Sequence, residues 1–247
     1  MEIDKSLIAE LKKAKSIVFF TGAGISAESS IPTFRGKDGI WNKLKPEELA
    51  NFDAFMKNPE MVWEWYNHRK KIIQESQPNR AHTTIAEIQN YFDEIIVVTQ
   101  NIDNLHRRAG SKKIFELHGN IERNYCINCK EFYIENLDFS AGVPKCKCGG
   151  LIRPDVVWFG EYLPMDQFNG GEKAAANCDI FFAVGTSAVV YPAAGLINVA
   201  HTAGATIVEV NIEETALSHI ANYTYTRKAG EILPQIFNDY SGSAGLN

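Results

Sequence analysis

Residues 16–27 read SIVFFTGAGISA, and this stretch decides the fold. SIVFF is an apolar run of the kind that forms a strand buried on both faces. The chain then turns at once through Gly22, Gly24 and Ala27, at G-x-G-x-x-G/A spacing. Glycines there let the backbone turn tightly and approach a pyrophosphate at a helix N-terminus. An ordinary strand-to-helix turn would look the same, so the motif alone leaves both readings open. No second strand ending in an acidic residue follows on the dehydrogenase schedule; IPTFRGKDGIW (31–41) reads as a loop. Hydride transfer is correspondingly disfavoured.

Three more runs of the same type follow: EIIVVTQ (94–100), DIFFAVG (179–185) and ATIVEV (205–210). Between them lie helical patterns at 80–92, 165–177, 192–203 and 229–239. An amphipathic helix opens the chain, with Ile3, Leu7, Ile8 and Leu11 on one stripe. Alternating strands and helices predict an α/β fold with a doubly wound parallel sheet. Its ligands bind outside the carboxyl ends of the strands, where GAGIS, QNID and GTSAV fall. Two stretches interrupt the alternation. Residues 36–78 are helical and aromatic (Trp41, Phe52, Phe55, Trp63, Trp65, Tyr66), and residues 121–153 are turn-rich. Together they are expected to form a smaller lobe over that edge. The terminal SGSAGLN (241–247) reads as a flexible tail outside the fold.

The 247 residues are 45% hydrophobic and 22% charged, enough for one α/β domain with an insertion. A formal charge of −5 argues against a general grip on nucleic acid and suits a lysine-rich protein partner. No apolar run is long enough to span a membrane, and the acidic N-terminus lacks a signal-peptide core, so a cytoplasmic protein is expected.

Four of the five cysteines lie in 126–148, as Cys126-x-x-Cys129 and Cys146-x-Cys148. Two close pairs on turns can bring four thiolates to the corners of a tetrahedron, and zinc is the usual occupant. Four protein ligands leave no open position, so the site is expected to be structural. Cys178 reads as a small buried hydrophobe. Gln100, Asn101 and Asp103 follow the strand EIIVVT, and His118 closes IFELHGN. A histidine there has a pKa suited to proton abstraction, although a lone histidine is more often structural. His68, His82, His106, His201 and His219 read as surface or packing residues. Tyr66 and Arg69 lie three apart on one helix face and could clamp a carboxylate. On the residues alone, a solvated arginine beside a half-buried tyrosine is the better reading.

Taken in order, TGAGISAESSIPTFRG, TQNIDNLHRRAGS, ELHGN, the four cysteines, RPDVVWFGE, GTSAVVYPAA, VNIEE and KAGEILP closely resemble the sirtuin family across residues 6–239. The resemblance implies an NAD-dependent lysine deacylase with a Rossmann-like large domain (1–35, 79–120 and 154–240). Its smaller lobe would be made of helices (36–78) and a zinc module (121–153), with substrate in the cleft between. It implies that Gly22, Ala23, Gly24, Ser26 and Ala27 surround the pyrophosphate of NAD, and that Phe34 and Arg35 belong to a cofactor loop. Gln100 and Asn101 would bind ribose, and Asp103 the nicotinamide amide. Gly185, Thr186 and Ser187 would make the second phosphate and ribose contact. Asn211, Ile212 and Glu213 would flank the adenosine ribose, and Ala229 the adenine. Val157, Phe159, Gly160 and Glu161 would pair with an acyl-lysine peptide by β-augmentation. His118 would be the general base, taking a proton from a ribose hydroxyl after nicotinamide leaves. Free lysine, nicotinamide and O-acyl-ADP-ribose would result.

The resemblance also re-weights the helical pair. Sirtuins that remove acidic acyl groups carry Tyr-x-x-Arg in the acyl pocket with a small residue nearby, and Tyr66, Arg69 and Ala50 match, as does Thr33. Desuccinylase and demalonylase activity is therefore expected, with deacetylation weaker. A plain deacetylase or a mono-ADP-ribosyltransferase on the same scaffold are the alternatives. Two positions depart from the family: Ser30 stands where Gly is usual, a strained choice if φ is positive there, and Ala188 where a bulkier residue is frequent.

Overall fold

The structure is a computed structural model that describes residues 3–34, 46–134, 137, 139–140 and 142–244. Six strands form the large sheet: β1 (Ser16–Thr21), β2 (Glu94–Thr99), β3 (Lys113–Glu116), β7 (Ile180–Val184), β8 (Thr206–Asn211) and β9 (Tyr223–Thr226). All pair in parallel, in the order β3-β2-β1-β7-β8-β9. Alternate residues of each central strand enter different cores. Ile17 and Phe19 join a cluster with Leu7 and Leu11 of α1 (Lys5–Leu11), Ile85 of α5 (Arg80–Glu87), and Leu233, Ile236 and Phe237 of α9 (Ala229–Ala244). Val18 and Phe20 join a second cluster with Ala174 and Ala175 of α7 (Met165–Asn177), and Leu196, Ile197 and Ala200 of α8 (Gly195–Thr202). Helices therefore cover both faces, which explains why the strands carry no polar face. The connections run one way from β1 to β3 and the other from β7 to β9. The carboxyl ends of β1 and β7 thus mark the switch point, where such sheets bind ligands.

Four local expectations need correction. The turn after β1 does not open an α-helix; Ala23–Ser29 form a 3₁₀ helix that ends at Ser30. Pro32 disfavours helical geometry at Ile31, so the segment must stop there. Ser30 has φ +63°, the left-handed conformation that a glycine would take without strain. The helix predicted over 80–92 leaves α geometry at Glu87 for a 3₁₀ turn over Ile88–Asn90, and the one predicted from 192 begins only at Gly195. The supposed tail is helical as far as Ala244, because α9 continues past Tyr240, which itself packs in the core.

The smaller lobe joins the two interrupting stretches. Helices α2 (Pro46–Leu49), α3 (Phe52–Lys57) and α4 (Pro59–Glu75) pack on an antiparallel sheet of order β5-β4-β6. Its strands are β4 (Gly119–Cys126), β5 (Phe132–Tyr133) and β6 (Ile152–Val156). Phe55, Val62, Trp63 and Tyr66 share a core with Ile121, Ile152 and Trp158, and Trp63 donates its indole N–H to the Ile152 carbonyl at 3.0 Å. The short α6 (Leu105–Ala109) adds Leu105. Trp41 lies outside the described residues. Among the described residues, no helix is long and apolar enough to cross a membrane.

Candidate active site and cysteine cluster

A cavity of about 930 Å³ runs along the carboxyl edge of the sheet and under the smaller lobe. Gly22, Ala23, Gly24 and Ala27 line it beside Gly185, Thr186 and Ser187. The glycines are needed because two loops cross here. A Cβ on Gly22 would lie 2.7 Å from the Gly185 carbonyl oxygen, and one on Gly24 would lie 2.8 Å from Gly185 Cα. Gly22 and Gly24 donate their N–H groups to the Val184 and Gly185 carbonyls at 3.0 and 2.8 Å, so neither is offered to a phosphate. Asn211, Ile212, Glu213 and Ala229 line the far end of the cavity.

Ser26 and Asp103 stand behind the wall. Neither lines the cavity, and both are buried. Ser26 Oγ donates to Asp103 at 2.7 Å and receives Asn101 Nδ2 at 3.2 Å. Asn101 also donates to the Gly22 carbonyl at 3.0 Å, tying the segment after β2 to the turn after β1. Burial pushes the Asp103 carboxyl above its ordinary range, opposed by the Ser26 hydroxyl and the Leu105 N–H. Asn101 and Gln100 themselves line the cavity, and Gln100 Nε2 donates to Thr186 Oγ1 at 2.9 Å.

His118, in the turn between β3 and β4, faces the middle of the cavity. Its Nδ1 is 2.8 Å from the Gln100 carbonyl. A carbonyl only accepts, so Nδ1 carries the proton and Nε2 keeps a lone pair. Burial lowers the imidazole pKa below its usual value, and the Gln100 carbonyl partly offsets this. The ring is thus a neutral base near pH 7.

On the other side of His118 the lining changes to Ala50, Trp65, Tyr66, Ile102, Val156 and Trp158. The reading of Arg69 as a solvated helix residue and Tyr66 as half-buried is overturned, since both are buried. Tyr66 lines the cavity; Arg69 lies behind Phe34 and Trp65, with Cζ 4.6 and 5.3 Å from their ring centroids. Burial pulls the Arg69 pKa down, opposed by Tyr66 and Asp103. The Tyr66 hydroxyl accepts Trp158 Nε1–H at 2.7 Å, which leaves its own proton to be donated. Thr33 and Phe34 line the entrance, whereas Arg35 lies outside the described residues.

Val157, Phe159, Gly160 and Glu161 form one lip. Val157 donates its N–H to the His118 carbonyl at 3.0 Å and Phe159 to the Ala50 carbonyl at 2.9 Å, so this lip bridges the two lobes. Sequence reading missed Trp65, Trp158, Tyr191 and Glu28. The tryptophans and the tyrosine resemble core residues in sequence. Glu28 accepts the Gly230 N–H at 2.8 Å, a contact across 202 positions that no local signal announces.

The four cysteine sulfurs lie within 4.8 Å of one another, with Cys126–Cys148 and Cys129–Cys146 each at 3.5 Å. A tetrahedron of zinc–sulfur bonds of about 2.3 Å has edges of roughly 3.8 Å, so the donor set fits zinc. Backbone N–H groups of Asn128 and Cys148 point at Cys126 and Cys146 Sγ at 3.4 and 3.5 Å, as expected around thiolates. Gly150 is required here, since a Cβ would lie 2.7 Å from Cys126 Sγ. Cys178 is buried, and burial raises its thiol pKa to about 12.

A doubly wound sheet, a nucleotide-sized cavity at its switch point and a cysteine-bearing lobe define a class of protein, and comparison with known proteins gives the family. Residues 22–192 match the Sir2 family. An NAD-dependent protein deacylase of Aquifex aeolicus is 50% identical over 225 residues, covering 90% of this chain and 94% of that protein. A Sir2 homologue mutant solved with ADP-ribose superposes with a TM-score of 0.95 at 42% identity, over 99% of both chains. A Sir2 mutant solved with a deacetylated peptide and 3′-O-acetyl ADP-ribose has a TM-score of 0.88 at 36% identity, over 97% of this chain and 98% of that one. The chain belongs to the Sir2 family.

Proposed function

We propose that the protein is an NAD-dependent protein-lysine deacylase that prefers succinyl and malonyl groups and removes acetyl more slowly. The nucleotide half of the cavity, from Gly22 to Ala229, suits NAD; when bound, NAD supplies an electrophilic ribose carbon as nicotinamide departs. Gln100 and Asn101 orient the ribose, and the Ser26–Asn101–Asp103 network holds that edge rigid. His118 Nε2 accepts a proton from a ribose hydroxyl, with Gln100 fixing the ring tautomer. The Val157–Glu161 lip holds the acyl-lysine peptide. One water is consumed as the amine leaves, and the products are free lysine, nicotinamide and O-acyl-ADP-ribose. The zinc fitted by Cys126, Cys129, Cys146 and Cys148 stabilises the smaller lobe.

One observation carries the acyl preference: a tyrosine proton lines the cavity with a buried guanidinium behind the wall beside it. Tyr66 is bonded to Trp158 as an acceptor and so keeps its O–H for the substrate. Arg69 Nε has no hydrogen-bond partner among the described residues. Burying such a cation is unfavourable unless an anion joins it. A substrate carboxylate there would take charge-assisted bonds from both, worth about 1.5–3 kcal/mol, or roughly 10–100-fold in preference.

The test gives the enzyme NAD and one peptide in acetyl-, succinyl- and malonyl-lysine forms, read by mass spectrometry. Succinyl turnover should lead and should fall about 10–100-fold in Arg69→Met. Unchanged succinyl turnover in that variant would refute the carboxylate clamp. Activity retained in His118→Ala would refute the base.

A further inference from the structure

Arg153, in β6, is 1% exposed and lines no part of the cavity. Its guanidinium forks onto the Glu161 carboxylate through Nη1 and Nη2. Nη2 donates again to the Val156 carbonyl at 2.7 Å. Glu161 also accepts the Trp158 N–H at 2.8 Å. Arg153 Cζ lies 3.3 Å from the Trp158 ring centroid, and that indole is the donor to the Tyr66 hydroxyl. One cation therefore closes the 156–161 turn and also sets the plane of the ring that orients Tyr66.

Stability alone is a poor reason for such an arrangement. A buried ion pair adds little over a well-packed apolar substitute, and Arg153 Nε has no hydrogen-bond partner among the described residues. The groups that Arg153 organises, by contrast, all face the cavity: Glu161, Trp158 and Tyr66. We propose that Arg153 is a positioning residue that couples the peptide lip to the acyl wall, holding the lip in shape and fixing Trp158 so that Tyr66 presents its proton to the acyl group. The second half rests on the acyl reading above; the first does not. A lysine cannot replace this group, because only the planar guanidinium can fork and stack at once.

The experiment measures Kd by fluorescence anisotropy for dye-labelled acetyl- and succinyl-lysine peptides, without NAD. Arg153→Lys, Trp158→Phe and their double variant are compared with wild type, and melting temperatures are recorded alongside. Arg153→Lys should weaken both peptides about tenfold, the scale of one charge-assisted bond, and should lower the succinyl-to-acetyl preference about fivefold further. Trp158→Phe keeps the stack but removes the donor to Tyr66, and should lower that preference by the same factor. The double variant should lower it no further, because both changes break one chain of contacts. A lower melting temperature with both affinities within twofold of wild type would overturn the proposal, and so would effects on preference that multiply. If Arg153→Lys does not fold, Glu161→Gln weakens the same fork and is read in the same way. A wild type with no succinyl preference refutes the acyl reading alone. The lip half is then decided by the acetyl peptide, where tenfold weakening supports it and a change under twofold overturns it.

Discussion

Acid should destabilise this fold through a buried histidine pair. His82 and His106 are 0% and 3% exposed, with ring centroids 4.8 Å apart. Thr21 donates its hydroxyl to Thr99 at 2.9 Å, so it must accept from His106 Nε2, 3.0 Å away. That leaves His106 Nδ1 bare, and neither it nor His82 Nε2 has a partner among the described residues. A proton added there would create a buried cation facing another imidazole. Burial accordingly lowers the His106 pKa to about 3, and His82 falls well below its usual value. A histidine whose pKa is depressed on folding leaves stability intact above its unfolded value, near 6.5, and removes it as pH falls toward the folded value. From about pH 7.5 to about pH 5 the unfolded chain gains about 2 kcal/mol from protonating His106 alone, while the folded chain gains almost nothing. Urea unfolding of wild type and His106→Gln across this range measures the difference. The variant should start less stable, and the gap should narrow by about 2 kcal/mol toward the acid end. Parallel curves, with a gap constant to about 0.5 kcal/mol, would refute the assignment of a neutral, unprotonatable ring.

Replacing Cys146 with Ser should remove about one equivalent of zinc by elemental analysis and cause loss of folded protein, because the cluster and the small-lobe core share Cys126 and Cys146. Retention of a cooperative melt at the wild-type temperature would argue against a structural metal. Ser30→Gly should raise stability modestly, by up to about 1 kcal/mol, since it removes left-handed strain while loosening the unfolded chain. Thermal melting reads this directly, and a clear loss of stability would contradict it.

The central strands and the helices over both faces were legible because burial on two faces leaves an apolar run with no alternation. Lys113–Glu116 and Tyr223–Thr226 were not legible as strands. Both are edge strands with exposed positions, so KIFE and YTYT lack that continuous apolar signature. The 3₁₀ helix after β1 was hidden for another reason. Its glycines satisfy a short nucleotide-binding pattern, yet the contact that demands them is with Gly185, more than 150 positions away.

Cysteine spacing by itself pointed to a four-sulfur site, because two close pairs on turns can converge, and the fold brings the four sulfurs together. The order of motifs likewise pointed to the family and, through it, singled out His118, which lines the cavity. What only the tertiary structure decided is how those groups are tuned. Helical periodicity puts Tyr66 and Arg69 on one face, but the depth of that face depends on Phe34, Trp65 and Trp158, which arrive from three other places in the chain or on the helix. Burial is a property of the assembled core, and it turns an ordinary arginine into a buried cation stacked on Phe34 and Trp65. It likewise gives Arg153 and His106 environments that no local pattern records.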